Sequence, residues 1–245
     1  MTGDNTRKCA MITGASRGIG KATAEIFARH GYDLILTCSS SMDTLRSLAD
    51  NLESLCGIHC LPVQADMGSE EDVLRLFSRT QRLDVLVNNA GTAHFSLLSQ
   101  MSAQEWRRIM AVNLDSCFYT CRAAIPLMLK NHSGSIINIS SVWGTQGASM
   151  EVAYSASKGG VNAFTKALAK ELAPSRIQVN AIACGLIDTA MNSSLSPEDL
   201  AALTEEIPAD RPGSPGEVAE LVFQVAHAPS YMTGQIITID GGWFT

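Results

Sequence analysis

The sequence predicts an α/β fold, a doubly wound parallel sheet of seven strands with helices on both faces, spanning 1–245 as a single domain. Three observations predict it. Short β-branched runs alternate with longer segments of helical period along the whole chain. The first such run passes directly into a glycine-rich turn that opens a helix. No repeat, low-complexity tract or linker breaks the alternation.

The elements follow in order. "CAMIT" is the first strand, and a helix from about Gly18 to His30 carries Ile19, Ala22, Ile26 and Phe27 on one face. "LILT" (34–37) is followed by a helix containing Leu45, Leu48 and Leu52. "IHCLPVQ" precedes "EEDVLRLFSRT", and "LDVLVNN" precedes a helical region from near Ser102 to Lys130 that has room for a break. "GSIINIS" leads to a helix carrying Tyr154. "IQVNAIA" follows it, and "QIITI" lies near the C-terminus. Seven strands and six helical regions in alternation call for parallel pairing with right-handed crossovers. One long stretch, about 185–211, has no clear period and is expected to be a substrate lid.

Bulk properties exclude several classes. The chain is 46% hydrophobic and 17% charged, with a net charge of −6 and interleaved signs. No basic cluster is present to grip a phosphate backbone, so no nucleic-acid partner is expected. No apolar run approaches the ~18 residues of a membrane span, and the polar start lacks the apolar core of a signal peptide. A cytoplasmic protein is expected. The seven cysteines are read as reduced thiols. Cys56 with Cys60, and Cys117 with Cys121, have i, i+4 spacing, but no His or acid recurs in matching geometry. They are read as small apolar fillers on helix faces, and no metal is expected.

The turn "TGASRGIG" (13–20) has the spacing G-x-x-x-G-x-G. Gly14, Gly18 and Gly20 allow backbone N–H groups to approach a pyrophosphate, with Ser16, Arg17 and Ile19 between them and a helix N-terminus behind. This is a dinucleotide site on a Rossmann-type sheet. An NAD site usually has an acid at the end of the second strand for the ribose 2′-hydroxyl. Here that end reads "LTCSSS", with Cys38 and Ser39 in its place. Arg17 is available to pair with a 2′-phosphate, and Ser39 or Ser40 to hydrogen-bond it, so NADP(H) is the expected cofactor.

"YSASK" (154–158) places Tyr154 and Lys158 one turn apart on a helix face. With "TGASRGIG", "NNAG" (88–91), Asn113 in "MAVNL", "SS" (140–141) and "GQIITIDGG" (234–242), the chain resembles the short-chain dehydrogenase/reductase family over its whole length. The resemblance implies Tyr154 as general acid, Ser141 as the group holding the substrate carbonyl, and Lys158 as the cation beside Tyr154 and the holder of the nicotinamide ribose. A free phenol titrates at about 10, and a neighbouring ammonium is expected to lower it. Strand alternation lets one of Ser140 and Ser141 face the cleft, and the family spacing selects Ser141. Asn113 matches an Asn that holds a water near the lysine. Asp66 and Met67 match adenine contacts, Asn89, Ala90 and Gly91 the adenosine-ribose loop, and Ile187 and Thr189 carboxamide and pyrophosphate contacts. A Pro usually precedes Gly185 in the family; Cys184 stands there, and a looser lid is expected. Of the histidines, only His94 is expected in the cleft.

Within the family, the glycine loop and the "YMTGQIITIDGG" tail are most similar to 3-oxoacyl-acyl-carrier-protein reductases of fatty acid biosynthesis. "SSVWGTQGASMEVAYSASK" is also similar to reductases of a ketone on a modified lysine of elongation factor P. A third possibility, a catalytically silent dinucleotide-sensing regulator, is disfavoured by the intact Tyr–Lys pair. The lid offers Met191, Leu195, Leu200 and Leu203 as an apolar lining, suited to an aliphatic ketone, small or carrier-bound. It also carries Asp188, Glu198, Asp199, Glu205 and Glu206, and no Lys or Arg before Arg211, which disfavours an acidic carrier protein. The resemblance implies a homotetramer. Ala163, Phe164, Ala167 and Leu168 are the expected interface face, and the terminal Trp243 and Phe244 are expected to be exposed.

Overall fold

Seven parallel strands stand in the order β3-β2-β1-β4-β5-β6-β7 in a computed structural model that describes residues 7–192 and 196–244. The strands are β1 (Cys9–Ile12), β2 (Asp33–Cys38), β3 (Cys60–Gln64), β4 (Val85–Asn88), β5 (Gly134–Ser141), β6 (Ile177–Cys184) and β7 (Ile236–Ile239). The chain runs outward from β1 to β3, then returns to β4 on the other side of β1. That reversal is the doubly wound topology, and it opens a crevice at the carboxyl ends of β1 and β4.

Each face of the sheet has its own core. Phe27, on α1 (Gly18–Arg29), and Leu45, on α2 (Met42–Cys56), cover one face together with Val218 and Val222 of a late helix. The other face packs Met128, Leu168 and Leu172 against Met11, Leu86 and Ile136. β5 and β6 are central strands buried on both sides, so every residue in them is buried, including the polar Ser135, Asn138, Gln178 and Asn180.

The helical region expected from Ser102 to Lys130 does break. Ser102 caps α4 (Ala103–Met110) through a capping box with Glu105. One wide π-type turn at Ala111–Asp115 then joins α4 to α5 (Ser116–Lys130). After α3 (Glu70–Ser78), the short α6 (Trp143–Gln146) and the long α7 (Val152–Leu172), two further helices occur that periodicity alone did not mark. α8 (Pro197–Glu205) lies inside the stretch read as an unpatterned lid, and α9 (Pro215–Ala226) follows it. Their starts were legible: Ser196 and Ser214 cap them, each followed by Pro at the first helical position and an acid in the first turn. Cys60 lies on β3, so the Cys56–Cys60 spacing spans a helix end and a strand rather than one helix face. All seven thiols are free.

Leu168 is 8% exposed and faces the chain's own core, with Phe164 packed beside it, so the expected interface face on α7 shrinks to Ala163 and Ala167. Trp243 and Phe244 are not exposed either: they turn inward onto Trp143. Among the described residues, no helix is long and apolar enough to cross a membrane.

Candidate active site

β1 ends at Ile12, and the backbone must turn at once into α1. Gly14 adopts φ of +65°, where a side chain would be strained, and a Cβ there would lie 3.0 Å from Ala90 Cα. Gly20 sits under the loop, where a Cβ would come within 2.3 Å of the Gly14 carbonyl oxygen. The loop is clamped from the β4 side. The Thr13 hydroxyl accepts from the Asn89 and Ala90 amides at 3.0 and 2.9 Å, and Asn89 Nδ2 donates to the Thr13 and Gly14 carbonyls. Thr13 was not among the residues singled out in the sequence; its place at the strand end, next to the loop, was the available signal. The result is a cradle of backbone at a helix N-terminus, lined by Gly14, Ser16, Arg17, Gly18 and Ile19. Gly20 supports that cradle from beneath and does not line it.

The cradle is one end of a cleft of about 1470 Å³. Cys38 and Ser39, at the end of β2, line it, whereas Ser40 does not. Burial pushes the Cys38 thiol up against a weaker opposing bond from the Ser41 backbone, so a neutral group stands at the end of β2. Arg17 is exposed. Asp66 and Met67 line the same end. Burial works to raise the Asp66 carboxyl, but hydrogen bonds from Arg108 and the Gly68 amide prevail and hold it below the usual carboxylate range. Asn89, Ala90, Gly91, Ile187 and Thr189 complete the lining towards the centre.

At the centre, β5 and α7 bring Ser141, Tyr154 and Lys158 together on the cleft wall. Ser141 Oγ accepts from the Trp143 amide at 3.2 Å and lies beside the Tyr154 hydroxyl. Ser140 also reaches the cleft wall, but its hydroxyl donates to Asn162 Oδ1 at 2.6 Å and is already committed to α7. Lys158 Nζ lies 5.6 Å from the Tyr154 ring centre and donates to the Ile139 carbonyl at 2.7 Å. Burial pushes the Tyr154 phenol up, Cys184 and, more weakly, Glu151 add to the rise, and the Ser141 hydroxyl opposes it. Burial pushes the Lys158 ammonium down, against the pull of Cys117 and Cys184. The lowering of the phenol expected from Lys158 is not found; desolvation dominates, and Tyr154 stays protonated across the neutral range.

Asn113 sits within the π-type turn and does not line the cleft. It holds the wall from behind. Its Nδ2 donates to the Thr92 carbonyl at 2.9 Å and to Ser157 Oγ at 3.0 Å, and its Oδ1 accepts from the Thr92 amide at 2.8 Å. The extra residue in the turn aims this side chain at the β4 loop and α7 at once.

The far end of the cleft is aromatic. Trp143, Trp243 and Phe244 line it, with Met191 and Leu203 of the lid. Leu200 is on α8 but outside the lining, and Leu195 lies outside the described residues. His94 lines the cleft and contacts Glu105 at 3.3 Å. Glu151, which the sequence reading did not single out, is buried in the same wall. Its signal was a carboxylate at the start of an otherwise small and apolar helix. The lid is anchored at its base: the Asp188 amide donates to the Gly213 carbonyl, the Gly213 amide donates to the Leu186 carbonyl, and Asn192 Nδ2 donates to the Ile187 carbonyl at 2.7 Å. Among the described residues, no cluster of three or more His, Cys, Asp or Glu side chains is placed to hold a metal ion.

A family model for short chain dehydrogenases matches residues 8–200. The chain belongs to the short-chain dehydrogenase family. It is 39% identical over 238 residues to YmfI of Bacillus subtilis, described as an uncharacterized oxidoreductase, covering 96% of this chain and 98% of that one. It is 39% identical over 242 residues to the 3-oxoacyl-[acyl-carrier-protein] reductase FabG of Aquifex aeolicus, covering 97% of each. A FabG of Thermotoga maritima is 40% identical over 238 residues, covering 96% and 97%. Among solved structures, a putative gluconate dehydrogenase from Agrobacterium tumefaciens superposes with a TM-score of 0.92 at 32% identity, covering 97% of this chain and 96% of that one. The chain is thus a short-chain oxidoreductase of the FabG-like kind.

Proposed function

We propose that the protein reduces a ketone to a secondary alcohol with NADPH, as a 3-oxoacyl-(acyl-carrier-protein) reductase-like enzyme built on one domain over 1–245 with a lid at about 185–211. The observation that carries this reading is the convergence of Ser141, Tyr154 and Lys158 on one wall of a cleft that ends in a backbone cradle. The glycine cradle at Gly14 and Gly20 fits a dinucleotide, since any Cβ at Gly20 would collide with backbone. The cofactor, when bound, supplies the hydride. Ser141 would hydrogen-bond the ketone oxygen and hold it against Tyr154. Tyr154, kept protonated by burial, would donate its hydroxyl proton to that oxygen as negative charge develops there. Lys158 would stabilise the phenolate left behind. Arg17, with Ser39 near the neutral Cys38, would favour a 2′-phosphate over a free ribose hydroxyl.

A protein-borne ketone, such as that on the modified lysine of elongation factor P, is the second reading. The acidic lid favours it, with Asp199 at the cleft and Glu206 bonded to the Trp243 indole at 3.2 Å. The deciding experiment compares kcat/KM for an acetoacetyl group on a small thioester and on acyl carrier protein, at low and high salt. Turnover of the small thioester without a salt-sensitive gain from the carrier is expected. A large gain that salt abolishes would assign the carrier protein as partner and remove the second reading.

A further inference from the structure

The turn after β7, "IDGGWF", takes no direct part in the proton or hydride chemistry, yet its last two residues reach the cleft. An Asp followed by two glycines builds a tight turn. Gly241 and Gly242 take φ of +68° and +87°, and the Asp240 carboxylate accepts from the Gly242 amide at 3.0 Å and from the Phe244 amide at 2.9 Å. The turn is also fixed from outside. Asp240 sits against Gly185 at the end of β6, where a Cβ would come within 2.7 Å of the Asp240 Cβ. The Gly241 carbonyl accepts from the Ala209 amide at 3.1 Å, just beyond α8.

The turn delivers two rings to one place. Trp243 and Phe244 meet Trp143 edge-on, with ring centres 5.1 and 5.4 Å away. Glu206 accepts the Trp243 indole N–H at 3.2 Å, which sets the tilt of that ring. Trp143 opens α6, a helix of four residues none of which is buried. The rings of the turn supply its packing on the cleft side. The Trp143 amide in turn donates to Ser141 Oγ at 3.2 Å. That bond occupies one lone pair of Ser141 and leaves the hydroxyl proton for a second partner. The neighbour on that side is the Tyr154 oxygen, beside which the ketone oxygen would lie.

We propose that Trp243 is a positioning residue for ketone reduction: the turn after β7 holds Trp143, and the Trp143 amide sets the direction of the Ser141 hydroxyl. The inference rests on the reading of Ser141 as the group that holds the ketone oxygen. A serine hydroxyl rotates freely unless a partner fixes it. An error of about 1 Å in such a group can cost about 10²-fold in rate. Trp143 is a poor place to test the idea, because its side chain also bonds Glu151 at the start of α7. Trp243 lies one step further out. Any direct contact it makes with substrate would show in KM, whereas its action through Ser141 belongs to kcat.

The test is a double-mutant cycle on the full chain, with an acetoacetyl thioester and NADPH. Wild type, Trp243→Ala, Ser141→Ala and the double variant are compared, and calorimetry gives NADPH affinity for each. Trp243→Ala is expected to lower kcat about tenfold while NADPH affinity stays within about twofold. In Ser141→Ala no hydroxyl is left to orient, so the same substitution should change kcat by less than about twofold. Trp243→Phe keeps a ring against Trp143 and should recover most of the loss. Trp243→Leu, which fills the space without a ring system, takes the place of the alanine variant in the cycle should that one not fold. An unchanged kcat in Trp243→Ala, or an equal loss with and without the Ser141 hydroxyl, would overturn the proposal, since general packing acts in both backgrounds. Absence of ketone turnover in the wild type would refute the reductase reading instead. Hydrogen exchange then decides the brace: faster exchange of the Trp143 amide in Trp243→Ala supports it, and unchanged exchange overturns it.

Discussion

Cofactor preference and proton transfer are predicted to turn on single residues. Cys38 occupies the strand end where an acid would repel a 2′-phosphate, and its thiol is kept neutral by burial. Cys38→Asp is therefore expected to move the kcat/KM preference from NADPH towards NADH; equal use of both cofactors by the wild type would contradict the assignment. Glu151 makes a second, thermodynamic prediction. Its carboxyl is raised from 4.5 to about 6 in the folded chain, so the folded state holds the proton more tightly than the unfolded state. That contribution to stability is fully present below the unfolded value and is lost as pH rises through about 6. Glu151→Gln cannot ionise. Its urea midpoint is expected to gain on that of the wild type between pH 4.5 and 7, and a pH-independent difference would show that Glu151 is not destabilised by its charge. Neither Glu151 nor Thr13 was legible as a site residue, although both fall within quoted stretches, because each acts through neighbours that only the fold supplies. Cys38, Ser141, Tyr154 and Lys158 were legible because strand ends and helical spacing fix where their side chains can go.

At the scale of elements, the strands were legible to within about two residues, since short β-branched runs ending in Gly, Asn or Ser mark them. The helices after β6 were not. α8 carries no buried residue, so it shows no apolar stripe for periodicity to find, and only its cap residues mark it. The break between α4 and α5 was legible as a break but not as a π-type turn, whose extra residue depends on the contacts Asn113 makes across it. That turn yields a prediction. Asn113→Ala removes both bonds to Thr92 and the bond to Ser157, and leaves buried polar partners behind. A loss of about 1–3 kcal/mol is expected. Hydrogen exchange should show the Thr92 amide losing protection, while the core amides of β5 keep theirs. Unchanged exchange at Thr92 would mean that the turn does not hold the β4 loop.

At the scale of the whole molecule, the doubly wound sheet explains why the cofactor cradle and the Ser–Tyr–Lys wall lie in one crevice: both form where strands end next to the reversal of strand order. Trp243 and Phe244 line that crevice and pack on Trp143 rather than offering an outer surface, so the case for assembly rests on family likeness and on the half-exposed Phe118 and Leu129 of α5. A homotetramer is expected, and light scattering at micromolar concentration that returned the 26.2 kDa of one chain would contradict it. The central claim is that Tyr154 protonates a ketone as NADPH delivers hydride. It is tested most directly by following NADPH oxidation with an acetoacetyl thioester in the wild type and in Tyr154→Phe, with NADPH affinity measured on both. The account predicts steady oxidation by the wild type, at least ~10²-fold slower turnover in the variant, and near-equal cofactor affinity. Turnover in Tyr154→Phe close to that of the wild type would contradict it.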